Sequence, residues 1–241
     1  MDENQLLGLN RDGYVLFPNL LCTAEINALR QALEDLWAAE GQQAGIENYI
    51  EQNARRLANL ANKGQVFRGL MVYPCVLEAA RKVLGPDIRL SMLNARDALP
   101  GTGPGQPLHS DADHSGKPDA KGYLTCTAIW MLDNFTRENG ATRLVPGTHR
   151  QPQLPKEALA DTLAPHPAEV VIEGNAGDVL LFNGHCWHAG NTNHTHAHRR
   201  AILAHYIRAD QPQRLNQKEA LSPQVQAGLN PAERVLLGLA G

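Results

Sequence analysis

The sequence is poor in the features that mark several large protein classes. Its four cysteines, Cys22, Cys75, Cys126 and Cys186, are scattered and form no CxxC pair. That pattern offers no thiolate zinc cage, and reduced thiols packed as small hydrophobes are expected. No apolar run nears the roughly 20 residues of a membrane-spanning helix. The opening residues MDENQLLGLNRDGY carry acidic groups and no apolar h-region. They read as neither signal peptide nor anchor, and a cytoplasmic location is expected. Charge bias is missing too: 22 Lys and Arg stand against 25 Asp and Glu, for a formal net charge of −3. With no block of like charge, this gives no support to a nucleic-acid partner.

What is present suffices for one domain with a sizeable core: 241 residues, 43% of them hydrophobic, with no repeat or linker that would split the chain. Gly13 to Leu21 reads as a short strand and a turn. Thr23 is placed to cap a helix with Glu25 in its first turn, and Ile26, Leu29, Leu33, Leu36 and Trp37 repeat at helical spacing. Residues 41–66 are polar, and a partly helical flap is expected there. A second helix should start at Pro74 and stop at Gly85. Short β-rich runs follow at Ile88–Ala95, Leu124–Leu132, Thr142–Val145, Val170–Ile172, Val179–Phe182 and Arg200–Ile207, separated by Gly, Pro, Asn and Asp. This texture predicts a mainly β sandwich or barrel with packed helices. The helical buttress should occupy mainly 1–86, the β core about 87–208 and a tail 209–241, helical again from Asn230.

Chemistry concentrates in two places. In His109-Ser110-Asp111, an extended chain would point the imidazole and the carboxylate to one face. Such a pair is common by chance. The second cluster runs from Gly177 to Gly190, where a strand and a Gly-bounded loop lead to His188. His185 flanks the same loop and competes for the role. Two histidines and one carboxylate leave three coordination positions open. That is the facial arrangement of non-haem iron(II), at which a bidentate co-substrate and O₂ both bind. Farther on, Arg199, Ala201, Leu203 and His205 share one strand face, and Arg200, Ile202, Ala204 and Tyr206 share the other. Both faces contain apolar residues, so alternation leaves the inner one undecided. An inward arginine there would clamp a distal carboxylate through two parallel hydrogen bonds.

Order and spacing together resemble the phytanoyl-CoA dioxygenase family of 2-oxoglutarate oxygenases, in the branch that contains ectoine hydroxylase. The resemblance rests on Asp12-Gly13-Tyr14-Val15, Leu84-Gly85-Pro86-Asp87 and His109-Ser110-Asp111. It continues through Glu138-Asn139-Gly140-Ala141, Val145-Pro146-Gly147-Thr148-His149, Gly177 to Phe182, and His188 followed eleven positions on by Arg199. It implies a double-stranded β-helix (a cupin-like jelly roll) in which His109, Asp111 and His188 bind Fe(II). It also implies that Arg199 grips 2-oxoglutarate, with Thr127, Gln106 and Asn94 lining the co-substrate pocket. O₂ and a small-molecule substrate complete the expected set, with release of succinate and CO₂. Two departures are Ala98-Leu99 before Pro100-Gly101, where the family often has a polar residue, and Gly190, where it often has serine. Both leave the pocket short of donors.

Arg96 and Asp113 are substrate-contact candidates, against the plainer readings of an ion-paired arginine and a solvated loop. His149 and the stretch His194-Thr195-His196-Ala197-His198 read as structural and solvated. Two other classes stay open at this point. One is a metal-binding jelly roll that senses a carboxylic ligand; the other is an O₂-independent isomerase or hydrolase.

Overall fold

Short runs, most of them rich in apolar and β-branched residues, build nine strands among the described residues. In chain order they are β1 (Tyr14–Phe17), β2 (Ala54–Leu57), β3 (Ile88–Ala98), β4 (Thr125–Met131), β5 (Thr142–Val145), β6 (Val170–Val171), β7 (Val179–Asn183), β8 (Trp187–Gly190) and β9 (Arg199–Arg208). The computed structural model describes residues 1–47, 51, 53–101, 104–114 and 117–239, the side chains of Asp113 and His114 excepted. Six strands pair in the order β1-β7-β4-β9-β3-β2 and three in the order β6-β5-β8, every pair antiparallel. Together they form the double-stranded β-helix, and the cavity described below draws its lining from both sheets.

Five helices precede β3: α1 (Glu3–Asp12), α2 (Thr23–Glu40), α3 (Leu60–Lys63), α4 (Gln65–Met71) and α5 (Pro74–Leu84). The N-cap of α2 is Cys22, one residue before the expected Thr23, because the Glu25 carboxylate reaches back to accept the Cys22 N–H at 2.8 Å. α5 begins with Pro74 and ends at Gly85, whose φ of +89° suits glycine. Its Val76, Leu77 and Leu84 pack into the main core with Cys126, Ala128 and Trp130 of β4. Burying each such aliphatic side chain contributes about 1.5–3 kcal/mol. This is why β4 reads TCTAIWM, nearly all apolar: helices cover one face and the cavity wall is the other.

One irregularity in β3 sets up the site. Its register against β9 shifts between Leu90 and Met92. Leu90 lies in the helix-side core, and so do Leu93 and Ala95, although they differ from Leu90 in strand parity. The extra residue at the bulge makes this possible and turns Met92, Asn94 and Arg96 to the cavity.

Residues 41–66 differ from expectation by containing β2, which pairs with β3 as an edge strand. Its four residues are too few to show a period. The tail folds more than expected, with short helices at Gln217–Ala220 and Pro223–Gly228 before the anticipated Pro231–Leu236, which is capped by Asn230.

Candidate active site

His109 and His188 are joined backbone to backbone: each N–H donates to the other's carbonyl, at 3.0 and 2.9 Å. This isolated antiparallel bridge sets the two imidazoles 4.4 Å apart, centroid to centroid. Asp111 does not continue a strand, contrary to the expectation from sequence. It opens a 3₁₀ turn over Asp111–His114. Gly184 holds that turn, its carbonyl accepting the Asp111 N–H at 2.8 Å and the Ser110 hydroxyl at 3.0 Å. Convergence therefore comes from a bridge and an anchored turn. The result is one donor atom from each of His109, Asp111 and His188, all within 4.8 Å of one another.

The hydrogen bonds at the backs of the rings fix which nitrogen faces inward. His109 Nδ1 lies 3.0 Å from the Pro107 carbonyl, and His188 Nδ1 lies 3.0 Å from the Cys186 carbonyl. A carbonyl only accepts, so each Nδ1 carries the proton and each Nε2 keeps a free lone pair. His188 Nε2 is 3.8 Å from Asp111 Oδ2. Burial, with His109 adding to it, pushes His188 down to about 4. Burial alone would raise Asp111, but the charges of His188, His205, His109 and Arg214 outweigh it and hold the carboxyl below its usual range. This favours a neutral His188 imidazole and an Asp111 carboxylate at neutral pH, and two histidines with one carboxylate are a donor set that a divalent iron takes. His185 points elsewhere: its Nε2 accepts the Leu124 N–H at 3.0 Å, and its ring lies 5.4 Å from that of Tyr123.

These residues line a cavity of about 480 Å³ that also holds Arg199, Thr127, Gln106, Asn94 and Arg96. Arg199 is buried, stacked 4.5 Å over the Phe135 ring, with Nε donating to the Asn139 carbonyl at 3.2 Å. Its Nη2 has no partner among the described residues. Burial first, then the neighbouring Arg96, lowers it to about 9. A buried unmade charged hydrogen bond costs more than the roughly 1–3 kcal/mol of a neutral one, so this cation is built for an anionic ligand.

Arg96 is treated differently. Glu51 takes its Nε at 3.0 Å and its Nη2 at 2.7 Å, and also the Arg56 Nε at 2.7 Å. Gln106 donates to the same carboxylate at 3.0 Å and accepts the Gly190 N–H at 3.0 Å. A Cβ at Gly190 would sit 3.0 Å from Gln106 Oε1, so a larger residue there would require the Gln106 amide to shift. Asn94 accepts the Asn59 N–H at 3.2 Å. The Thr127 hydroxyl donates to Asp111 Oδ2 at 2.7 Å. The side chain of Asp113 lies outside the described residues. In the histidine-rich stretch, His198 pairs with Asp97 at 2.7 Å.

Among the lining residues that sequence reasoning missed, Glu51, Arg214 and His205 bear most directly on the site. Glu51 sits in a segment without a motif, and Arg214 reaches the Asp111 carbonyl from the tail, so neither left a signal. His205 did leave one, since it shares the strand face of Arg199.

The phytanoyl-CoA dioxygenase (PhyH) family profile matches residues 9–201. A dioxygenase of Aspergillus fumigatus, af480, is 29% identical over 98% of this chain and 77% of its own length. The Fe(II)/2-oxoglutarate-dependent dioxygenase nvfF of Aspergillus novofumigatus is 30% identical over 80% of this chain and 67% of its own. Among solved structures, HygX from Streptomyces hygroscopicus with nickel and 2-oxoglutarate bound superposes with a TM-score of 0.71 at 19% identity, covering 87% of this chain and 88% of HygX. The 2-oxoglutarate-dependent carbocyclase SnoK from nogalamycin biosynthesis gives 0.70 at 22% identity, over 96% and 92%.

Proposed function

This chain belongs to the phytanoyl-CoA dioxygenase family, and on that premise we propose that it is an Fe(II)- and 2-oxoglutarate-dependent dioxygenase hydroxylating a small organic metabolite. One observation carries the reading: a single cavity holds a three-donor His-Asp-His set and, with it, a buried guanidinium whose Nη2 has no hydrogen-bond partner among the described residues. Iron, when bound, brings 2-oxoglutarate and O₂ together and couples decarboxylation to succinate and CO₂ with oxidation of a C–H bond.

The residues have separate tasks. His109 and His188 present Nε2 and Asp111 presents a carboxylate, leaving coordination positions for co-substrate and O₂. Arg199 receives the distal carboxylate of 2-oxoglutarate, which supplies the partner its Nη2 lacks. Phe182, Ile129, Ala201 and Leu203 line the cavity with apolar surface and limit water near the reacting atoms. The cavity falls within the size range of small-molecule sites. Support for a natural-product-sized substrate comes from fold neighbours solved with hygromycin B, in HygX, and with nogalamycin RO, in SnoN. Neither a charge bias toward nucleic acid nor, among the described residues, a helix long and apolar enough to cross a membrane is found.

The test is O₂ dependence. Anaerobic Fe(II) and 2-oxoglutarate should give a weak visible charge-transfer band, and admitting O₂ should yield succinate. Bound metal without succinate would leave a ligand-sensing jelly roll instead.

A further inference from the structure

Asp111 is held by a chain of side chains running back into the barrel. Its Oδ2 accepts the Thr127 hydroxyl at 2.7 Å. Thr127 Oγ1 in turn lies 2.9 Å from His205 Nδ1, and His205 Nε2 lies 2.7 Å from Thr125 Oγ1. Thr125 Oγ1 is also 3.2 Å from the Tyr206 carbonyl. Thr125, Thr127 and His205 are all buried, and Thr127 and His205 are direct cross-strand partners on β4 and β9.

Proton counting orders this chain. The carboxylate only accepts, so the single Thr127 proton goes to Asp111. Thr127 Oγ1 must then accept, and His205 Nδ1 must donate to it. A carboxyl group turns easily about its last torsion, which is broad and two-fold. Here the Thr127 hydroxyl occupies one side of Oδ2, the same oxygen that faces His188 Nε2 at 3.8 Å. Its remaining lone pair is left for the space between the imidazoles.

We propose that Thr127 and His205 are positioning residues that orient Asp111 for metal binding, Thr127 directly and His205 through Thr127. This assigns Thr127 to the carboxylate ligand, and it rests on the iron reading above. Groups that orient a metal-bound carboxylate typically contribute 10–100-fold in metal affinity.

Titrating Co(II) into metal-free protein tests the proposal, with thermal unfolding of the same metal-free samples alongside. Thr127→Val keeps the side-chain volume and removes the hydroxyl. It should weaken Co(II) binding by about 10–100-fold. Thr127→Ser should stay within about threefold of wild type, because the donor survives. His205→Asn, whose amide nitrogen takes the place of Nδ1, should retain binding, whereas His205→Ala should weaken it. Because both residues act through one hydrogen bond, Thr127→Val/His205→Ala should bind no worse than the weaker single variant. The visible band of the anaerobic Fe(II)–2-oxoglutarate complex should also shift in Thr127→Val.

Asp111→Ala separates this proposal from the reading beneath it. Wild type that binds Co(II) no better than Asp111→Ala sinks the metal site and the positioning role together. Binding lost in Asp111→Ala but unchanged in Thr127→Val sinks the positioning role alone. A fall in thermal stability without any change in Co(II) affinity likewise overturns the positioning role and leaves the metal site standing.

Discussion

Two arginines line one cavity and meet opposite fates. Arg96 is paired within the protein, sharing the Glu51 carboxylate with Arg56 and Gln106. Arg199 has a carbonyl and an aromatic face but no carboxylate, and one nitrogen without a partner among the described residues. Breaking a buried ion pair is costly because it strands the remaining charge. Arg96 therefore belongs to the wall, and Arg199 is the cation kept available for a ligand. Proximity to a site is a weaker guide than the state of a residue's hydrogen bonds.

The largest effect expected lies at the imidazoles. His188→Ala should abolish metal binding and turnover, whereas His185→Ala should keep both; metal content after reconstitution decides it, and the reverse result would exchange the two roles. Next comes Arg199. Losing one partner of a buried charged pair costs roughly 2–5 kcal/mol, so Arg199→Ala should raise KM for 2-oxoglutarate by about 30-fold or more. Arg199→Lys should recover only part, since a point charge cannot form the fork. Arg200 pairs with Asp133 at 2.9 Å on the opposite strand face, and Arg200→Ala should move that KM by less than about threefold. A large effect there would invert the comparison.

A pH experiment probes the histidine outside the cavity. Burial pushes His185 down to about 4, and its Nε2 must stay unprotonated to accept from Leu124. An unfolded histidine titrates near 6.5, so the unfolded chain binds more protons between these values. Stability should be full above about pH 6.5 and fall as pH drops toward 4. In His185→Gln that slope should be shallower by up to about 3 kcal/mol over the window, measured by denaturant unfolding of metal-free protein. An unchanged slope would mean that His185 does not titrate on unfolding.

The strands of the jelly roll were legible because their composition and turns recur: Thr142–Val145 matches residue for residue, and α5 starts and stops at Pro74 and Gly85 as expected. β2 (ARRL) and the first two tail helices (QKEA and PQVQAG) are short and largely polar, with neither an apolar run nor a period to read. At the site, the sequence named the donors but misjudged how they meet, placing Asp111 on a strand where a turn tied to Gly184 holds it. It gave Gln106 to the co-substrate pocket and made Arg96 a substrate-contact candidate, because their shared partner, Glu51, lies 55 and 45 residues away without a motif. Alternation alone left the inward strand face undecided and only the family resemblance pointed to Arg199, whose face the fold puts on the cavity wall with Ala201, Leu203 and His205.

The bulge in β3 makes the identity of that wall a matter of counting. Straightening β3 with Ser91 kept and Leu90 still facing the helices would turn Asn94 and Arg96 toward the helices and Leu93 and Ala95 inward, whereas deleting Ser91 together with the bulge would leave both faces as they are. A chimera that borrows a regular β3 of the same length would misplace that wall, even with every functional side chain retained. For anyone recombining such proteins, the bulge and the residue count between Leu90 and Met92 have to be matched together before any residue is chosen.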